Sequence, residues 1–381
     1  MSLLATQSAH REYASRPADE RLGSLEALVS TATDDRNRSI ERTYNLKDLR
    51  AVPTDAGSVH LASPKGEARL THWSFGQLAR TIGAPAGYLR DLPATLASDC
   101  INYGLTEAVP GTSCNLLVRT PSATDSVPTI RAATSETYGR VWDADLYGGI
   151  QQQLARWDDR WTLPPTWSGE PAGAYRGDRD SFLILTNGGS IVTDPSLTNR
   201  GPGSGTGTGG GTAPRDSMFR GILVRNSEVG AASVVIERIL FRYICGNHML
   251  WSAMADRSFR RRHVGVTALR DTVREISRLA YEWGQASTAR DTAIIRALVD
   301  HEIAHTKEAV IDELRALGAT KDQATAAYEL CEKQESVSPR SFWGAAQGLT
   351  RLSQAGGYQD ERYSMDRIAA SLLAKGAKVY A

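Results

Sequence analysis

The sequence predicts an α+β fold: a mainly antiparallel central sheet with helices, followed by a C-terminal helical region. Three observations carry that reading. Between about Cys114 and Ile236, short apolar and β-branched runs alternate with turn residues, the pattern of paired strands. Beyond residue 263 the apolar positions recur at helical spacing instead. Between these patterns, Gly201 to Pro214 reads GPGSGTGTGGGTAP with a strand expected on each side. Its glycines maximise chain entropy, so it is a flexible loop inside a sheet rather than a linker between domains. The expected organisation is a flexible N-terminal arm over 1–43, an α+β core over 44–263 with the Gly-rich loop at 200–214, and a helical region over 264–381.

Composition narrows the function classes. The 381 residues carry 44 Lys and Arg against 43 Asp and Glu, a formal charge of +1. No global basic field draws the chain to nucleic acid, so such binding needs a local patch. Cys100, Cys114, Cys245 and Cys331 are scattered with no Cys-x-x-Cys, which fits reduced thiols in a cytoplasm. The start, MSLLATQSAHREY, lacks a signal-like apolar region, and no apolar run nears the ~20 residues of a membrane span. The expectation is a cytoplasmic protein with no membrane partner.

In chain order, the polar stretch up to Thr43 holds at most a short helix over Ser24 to Val29. Tyr44 to His60 gives a strand and a turn at Pro53 to Gly57. Ser74 caps a helix to Ile82, which Gly83-Ala84-Pro85 breaks before a second short helix over Ala86 to Leu92. Leu78, Ile82, Tyr88, Leu89 and Leu92 form the buried face of this pair. A helix-turn-helix could read DNA, but Arg80 and Arg90 are its only arginines and it has no lysine, so packing outweighs DNA reading. Strands follow at Cys114 to Arg119 and Pro128 to Ala133, and then a helix over Asp143 to Trp157. Trp157, Trp161, Trp167 and Tyr175 sit among prolines and glycines. They close a small core under a loop in preference to stacking on bases. Ser181 to Asn187 and Ile191 to Thr193 form a hairpin over Asn187-Gly188-Gly189.

The densest apolar segment, Met218 to Trp251, is threaded by Arg220, Arg225, Arg238 and Arg242. Buried charge needs a partner, so these residues meet acids or line a surface that receives anions. Phe219 to Val224 reads as a buried strand, Asn226 to Gly230 as a turn and Ser233 to Ile236 as a strand; Glu237 to Trp251 is ambiguous. Asn226-Ser227-Glu228-Val229-Gly230, then Arg242-x-x-Cys245-x-Asn247, resembles the family called "domain of unknown function 932", found mainly in phages, plasmids and prophages. Family members usually have Gly after that Asn, where this chain has His248. Ser135 to Tyr138, Asp180-Ser181-Phe182 and Phe342-Trp343-Gly344 with Leu349-Thr350 look like further matches. The resemblance implies a mobile-element protein and, with it, work on DNA. A sheet backed by helices is also similar to single-strand annealing proteins of the Rad-fifty-two type. Those assemble into rings and hold one DNA strand in a basic groove without cofactor chemistry. No motif of theirs matches this chain residue by residue.

Asp256 to His263 is the sharpest basic cluster. On the annealing reading Arg225, Arg242, Arg257, Arg260, Arg261 and Arg262 contact phosphates, single-stranded DNA is the favoured partner, the chain is a homo-oligomer, and no cofactor or catalytic residue is needed. The rival for the cluster is a solvated turn, or pairing with acids such as Glu228 and Glu237. Helical stripes follow: Leu269 to Trp283, Ile295 through Ile303 to Leu317, Ala324 to Gln334, a helix from Ser338-Pro339, and Tyr363 to Lys375. His301-Glu302-Ile303-Ala304-His305 matches H-E-x-x-H, in which His301 and His305 would bind zinc and Glu302 would activate water. Neither the hydrophobe expected at Lys307 nor the extension at Glu308 and Ile311 is present; Glu329 is a candidate third ligand. Cys245 with His248 is a lone pair without further ligands at defined spacing. A zinc hydrolase and a protein-binding scaffold are the alternative readings.

Overall fold

The computed structural model describes residues 6–8, 16–121, 126–157, 161–164, 173–192, 218–244, 247–251, 259–261, 268–335, 337–355 and 359–380. Within them the α+β fold is built on two sheets, where the sequence suggested one. β1 (Thr6–Ser8) and β2 (Arg21–Leu22) are edges of the larger sheet. Helix α1 (Leu25–Asn37) starts where the Ser24 side chain accepts from the Ala27 N–H at 3.0 Å. Leu25 and Leu28 enter the main core. This corrects the loose arm expected over 1–43 for residues 16–43: burial of that apolar face holds them in place.

The smaller sheet comprises β3 (Ser39–Asn45), β4 (Arg50–Pro53), β5 (Val59–Ser63), β6 (Gly66–Leu70), β7 (Ser113–Arg119) and β8 (Thr129–Thr134). Its order is β3-β7-β8-β6-β5-β4, antiparallel except at β6–β8. Helices α2 (His72–Thr81), α3 (Ala86–Asp91) and α4 (Ala94–Thr106) close a core of Leu61, Leu78, Leu89, Ile101, Leu105 and Leu116. Thr71, not Ser74, caps α2; the buried Ser74 hydroxyl donates to the Ile130 carbonyl at 2.7 Å instead. Tyr88, expected in the buried face, is 61% exposed, and Leu89 does the packing.

Helix α5 (Asp143–Trp157) leads back to the larger sheet. That sheet continues with β9 (Trp161–Thr162), β10 (Ala174–Arg176), β11 (Ser181–Val192), β12 (Met218–Asn226), β13 (Val234–Ile244), β14 (Asn247–Trp251) and β15 (Phe259–Arg261). Its path is β1-β14-β13-β12-β11-β10-β2, with β15 on β13 and β9 on β11, all antiparallel. The hairpin expected over Asn187-Gly188-Gly189 is a register shift within one strand, where Gly189 N–H donates to Asn187 Oδ1. The ambiguous stretch from Glu237 is strand: β13 runs on to Ile244 and β14 follows from Asn247. Residues 200–214, Trp167 and the Cys245-Gly246 turn lie outside the described residues.

The chain ends in α6 (Ala268–Gln285), α7 (Ala289–Asp300), α8 (Lys307–Ala316), α9 (Lys321–Gln334), α10 (Phe342–Ala355) and α11 (Gln359–Tyr380). These helices have no core of their own: Ile276, Trp283, Ile295, Trp343 and Leu372 share one cluster with Ile222, Val224 and Leu240 of the sheet. The single long helix expected through Ile303 is two helices, because α7 ends at Asp300 and the Thr306 side chain caps α8. Helix α10 starts at Phe342 rather than Ser338, with Ser341 Oγ accepting from Gly344 N–H at 3.0 Å. Among the described residues no helix is long and apolar enough to cross a membrane.

Candidate functional site

The arginines of the central segment divide by strand parity. Even-numbered positions of β12 face the helices, so Ile222 and Val224 join the main core. Arg220 and Arg238 follow them and are locked internally. Arg220 is 2% exposed, pairs with Asp291 at 2.6 Å, and lies 4.4 Å from the Trp283 ring centroid. Arg238 sits over the same ring, 3.7 Å from Glu282. Odd positions take the other face, where Tyr175, Phe182, Ile184, Leu223 and Ile239 form a separate buried cluster to which no described helix contributes.

On that second face the ladder register sets up one row. Arg21 pairs with Tyr175, Tyr175 with Phe182, Phe182 with Arg225, Arg225 with Val235, and Val235 with Arg260. Directly paired residues of an antiparallel ladder share a face. Strands lie about 4.8 Å apart, so Arg225 and Arg260 stand about 10 Å from each other along the row. Arg260 is exposed; Arg21 and Arg225 are half-buried. The Arg225 guanidinium is 6.0 Å from the Phe182 ring centroid. Arg16 covers Tyr175 at 4.4 Å and is fixed by Asp180 at 3.1 Å.

Of the six arginines the sequence singled out, the structure therefore brings two together, Arg225 and Arg260. Through their backbones Arg242 pairs with Met218 and Arg261 with Val234, register positions outside the row that holds Arg225 and Arg260. Arg257 and Arg262 lie outside the described residues. Arg21 was missed; it stands in a polar stretch that gives no strand signal.

The Asn226-Ser227-Glu228-Val229-Gly230 motif is not at the surface. It forms the seam between the two sheets, and the first four residues are at most 2% exposed. Gly230 takes φ +81, which its lack of a Cβ permits. Three successive carbonyls are held by side chains of helix α2 and of the loop after β8. Ser227 accepts from the Tyr138 hydroxyl at 3.0 Å, and Glu228 from Arg140 Nη1. Val229 accepts from Trp73 Nε1 at 3.0 Å and Gln77 Nε2 at 2.8 Å. The Glu228 carboxylate receives Arg131 Nη1 at 2.8 Å, Arg176 Nη2 at 3.1 Å and the Asp143 N–H at 2.9 Å. Asn226 Nδ2 donates to Asp143 Oδ1 at 2.7 Å and to the Val141 carbonyl at 2.9 Å. Arg176 also reaches Asp143 at 3.2 Å and Asp35 at 2.5 Å.

Electrostatics follow from this burial. Burial, then the Glu228 charge, push the Asp143 carboxyl up to about 6. Burial also disfavours charge on Asp35, but Arg176, Arg131 and Arg119 outweigh it and lower its pKa. Asp143, read from sequence as a helix start, thus spends its side chain on Ser181, Asn226 and Arg176. Arg131, Arg176 and Asp35 were missed as partners of the motif. Arg131 carries a signal that was legible: it stands in the apolar run Thr129-Ile130-Arg131-Ala132-Ala133.

Comparison with protein families, curated proteins and solved structures found no match. His301 to His305 is not helical: it is the connection between α7 and α8. The i, i+4 geometry that would aim both imidazoles at one ion is missing. His305 is 96% exposed at its side chain, Glu302 pairs with Arg340 at 2.9 Å, and Glu329 pairs with Lys307 at 3.1 Å. This corrects the zinc reading, and among the described residues no group of three or more His, Cys, Asp or Glu side chains is placed to hold a metal ion. His248 pairs through its backbone with Tyr243, and Cys245 lies outside the described residues. Cys100, Cys114 and Cys331 are free thiols.

Proposed function

We propose that the chain is a non-catalytic nucleic-acid-binding protein of the mobile-element type its motif resembles, and that it holds single-stranded DNA along the face of the larger sheet opposite the main core. The observation that carries this is the row in which Arg21, Arg225 and Arg260 occupy one line across the sheet. Guanidinium forks suit phosphate oxygens. Tyr175 and Phe182 in the same row are buried, so the grip is on the backbone and not by base stacking. A row of cations on a sheet suits a single strand better than a duplex groove, which takes a protruding helix or ribbon. Annealing and recombination, and assembly into a homo-oligomer, belong to the same proposal.

The test is binding of a single-stranded oligonucleotide over a range of salt. Each lost phosphate contact lowers the slope of log affinity against log salt by about 0.7 for single strands, so three lower it by about 2. Arg21→Ala, Arg225→Ala and Arg260→Ala combined should produce that fall. A wild type that binds neither strand form at low salt, or a triple variant with an unchanged slope, removes the proposal and leaves the protein-binding scaffold in front.

A further inference from the structure

Three buried carboxylates, Asp35, Asp143 and Glu228, meet at the seam between the sheets. The guanidiniums buried against them are Arg131 and Arg176. Arg119 and Arg38 reach only the Asp35 side, at 3.7 Å and 2.9 Å, from the partly exposed rim. Arg140 is engaged by Glu41 and by the Glu228 carbonyl oxygen. Among the described residues Asp143 is left with a single cation contact, Arg176 Nε at 3.2 Å, and Arg176 is shared with the other two acids. The Asp143 carboxyl also accepts from Ser181 Oγ and Asn226 Nδ2, both at 2.7 Å.

These contacts span the molecule. Asp35 comes from α1, Arg131 from β8 of the smaller sheet, Arg176 from β10 of the larger sheet, Asp143 from the start of α5, and Glu228 from the turn after β12. Tyr138 and Tyr147 complete the surroundings, with Asp180 further off; burial raises the pKa of both hydroxyls, so they stay protonated. A negative charge in excess at this point weakens the contact between the two sheets and not a surface loop.

We propose that the seam is a proton-linked latch: with Asp143 protonated the two sheets are held together, and its ionisation loosens the joint. The proton on Asp143 removes the repulsion from Glu228 while Arg176 remains paired with Glu228 and Asp35. The sign follows from its position. Asp143 is raised above the ordinary carboxylate range, to about 6. Its stabilising contribution is complete below that ordinary range and is lost as pH rises through about 6. Asp35 is shifted the other way, so its contribution is already in place above the ordinary carboxylate range and adds no slope near neutrality.

Amide hydrogen exchange of the full chain at Leu146 to Ile150 and Val229 to Ala231, corrected for intrinsic exchange, reads the opening constant of the seam. A carboxyl moving from about 6 when closed to about 4 when open raises that constant about tenfold between pH 5 and pH 8. Asp143→Asn should remove most of that rise. Equal pH slopes in the two proteins overturn the latch. Because Asp143→Asn can fail to fold, a second reading uses the unaltered protein with aspartate-selective carboxyl labelling. One carboxyl titrating between pH 5 and 7 supports the latch, and none doing so overturns it.

Discussion

Glu228→Ala should lower the free energy of unfolding by about 3–5 kcal/mol, the usual cost of removing one partner from a buried ion pair. The loss is large because the side chain closes three contacts at once. Without it Arg131 and Arg176 stay buried with less compensating charge, and the Asp143 N–H at the start of α5 loses its acceptor. Marginal stability of about 5–15 kcal/mol makes this a substantial fraction of the whole. Urea unfolding at pH 7 checks it. A change below about 1 kcal/mol would mean that the seam does not hold the sheets together. The same substitution touches none of the outer-face arginines, so binding per folded molecule should be retained.

Arg220→Ala should cost about 3–5 kcal/mol for a related reason. Its Nε and Nη2 donate to Asp291 at 3.0 Å and 2.6 Å. Its guanidinium also donates to the carbonyls of Trp283 at 2.9 Å, Ser287 at 2.7 Å, and Ala286. Those carbonyls belong to the last turn of α6 and the residues after it, where backbone acceptors have no helical donor. One side chain thus caps α6, ties α7 through Asp291, and fixes both to β12. Denaturant unfolding of a double-mutant cycle isolates the pair. Asp291→Ala should cost clearly less in the Arg220→Ala background than alone. Equal costs in both backgrounds would show that the two side chains act independently.

Much of the fold was legible, and what was missed has local causes. Asp143 to Trp157 and the Phe219 to Val224 strand carry strong periodicity or apolar density, and the structure places a helix and a strand there. The division into two sheets was hidden because β3 pairs with β7, far along the chain, and no short-range pattern records such a partner. Helix α1 was shortened because its second half, Thr31 to Asn37, is polar except for Ala32, although Leu25, Leu28, Ala32 and Asp35 do keep helical spacing. The helix break before Thr306 was overlooked because an apolar stripe happens to continue across it through Ile303. The Thr306 cap was the signal that should have divided the stripe.

The candidate site was less legible than the fold. A charged residue inside an apolar strand shows that a partner exists, but the sequence does not say which. Arg220 found Asp291 on a helix seventy-one residues on, while Arg225, five positions away, faces the other side of the sheet. Parity within β12 separates them, and parity became useful only once the strand's register was known. The stretch Asn226 to Gly230 stood out in the sequence as turn chemistry, and in the structure the side chains of Asn226, Ser227 and Glu228 are buried where the two sheets meet.

Ultraviolet cross-linking of a thymidine oligonucleotide to the full chain, with the attached peptides mapped by mass, tests the central functional claim most directly. The row across the larger sheet predicts attachment on peptides carrying Arg21, Arg225 and Arg260, lost as salt rises. Attachment confined to the 301–306 connection or to α2 and α3, with the sheet face unmarked, would contradict it.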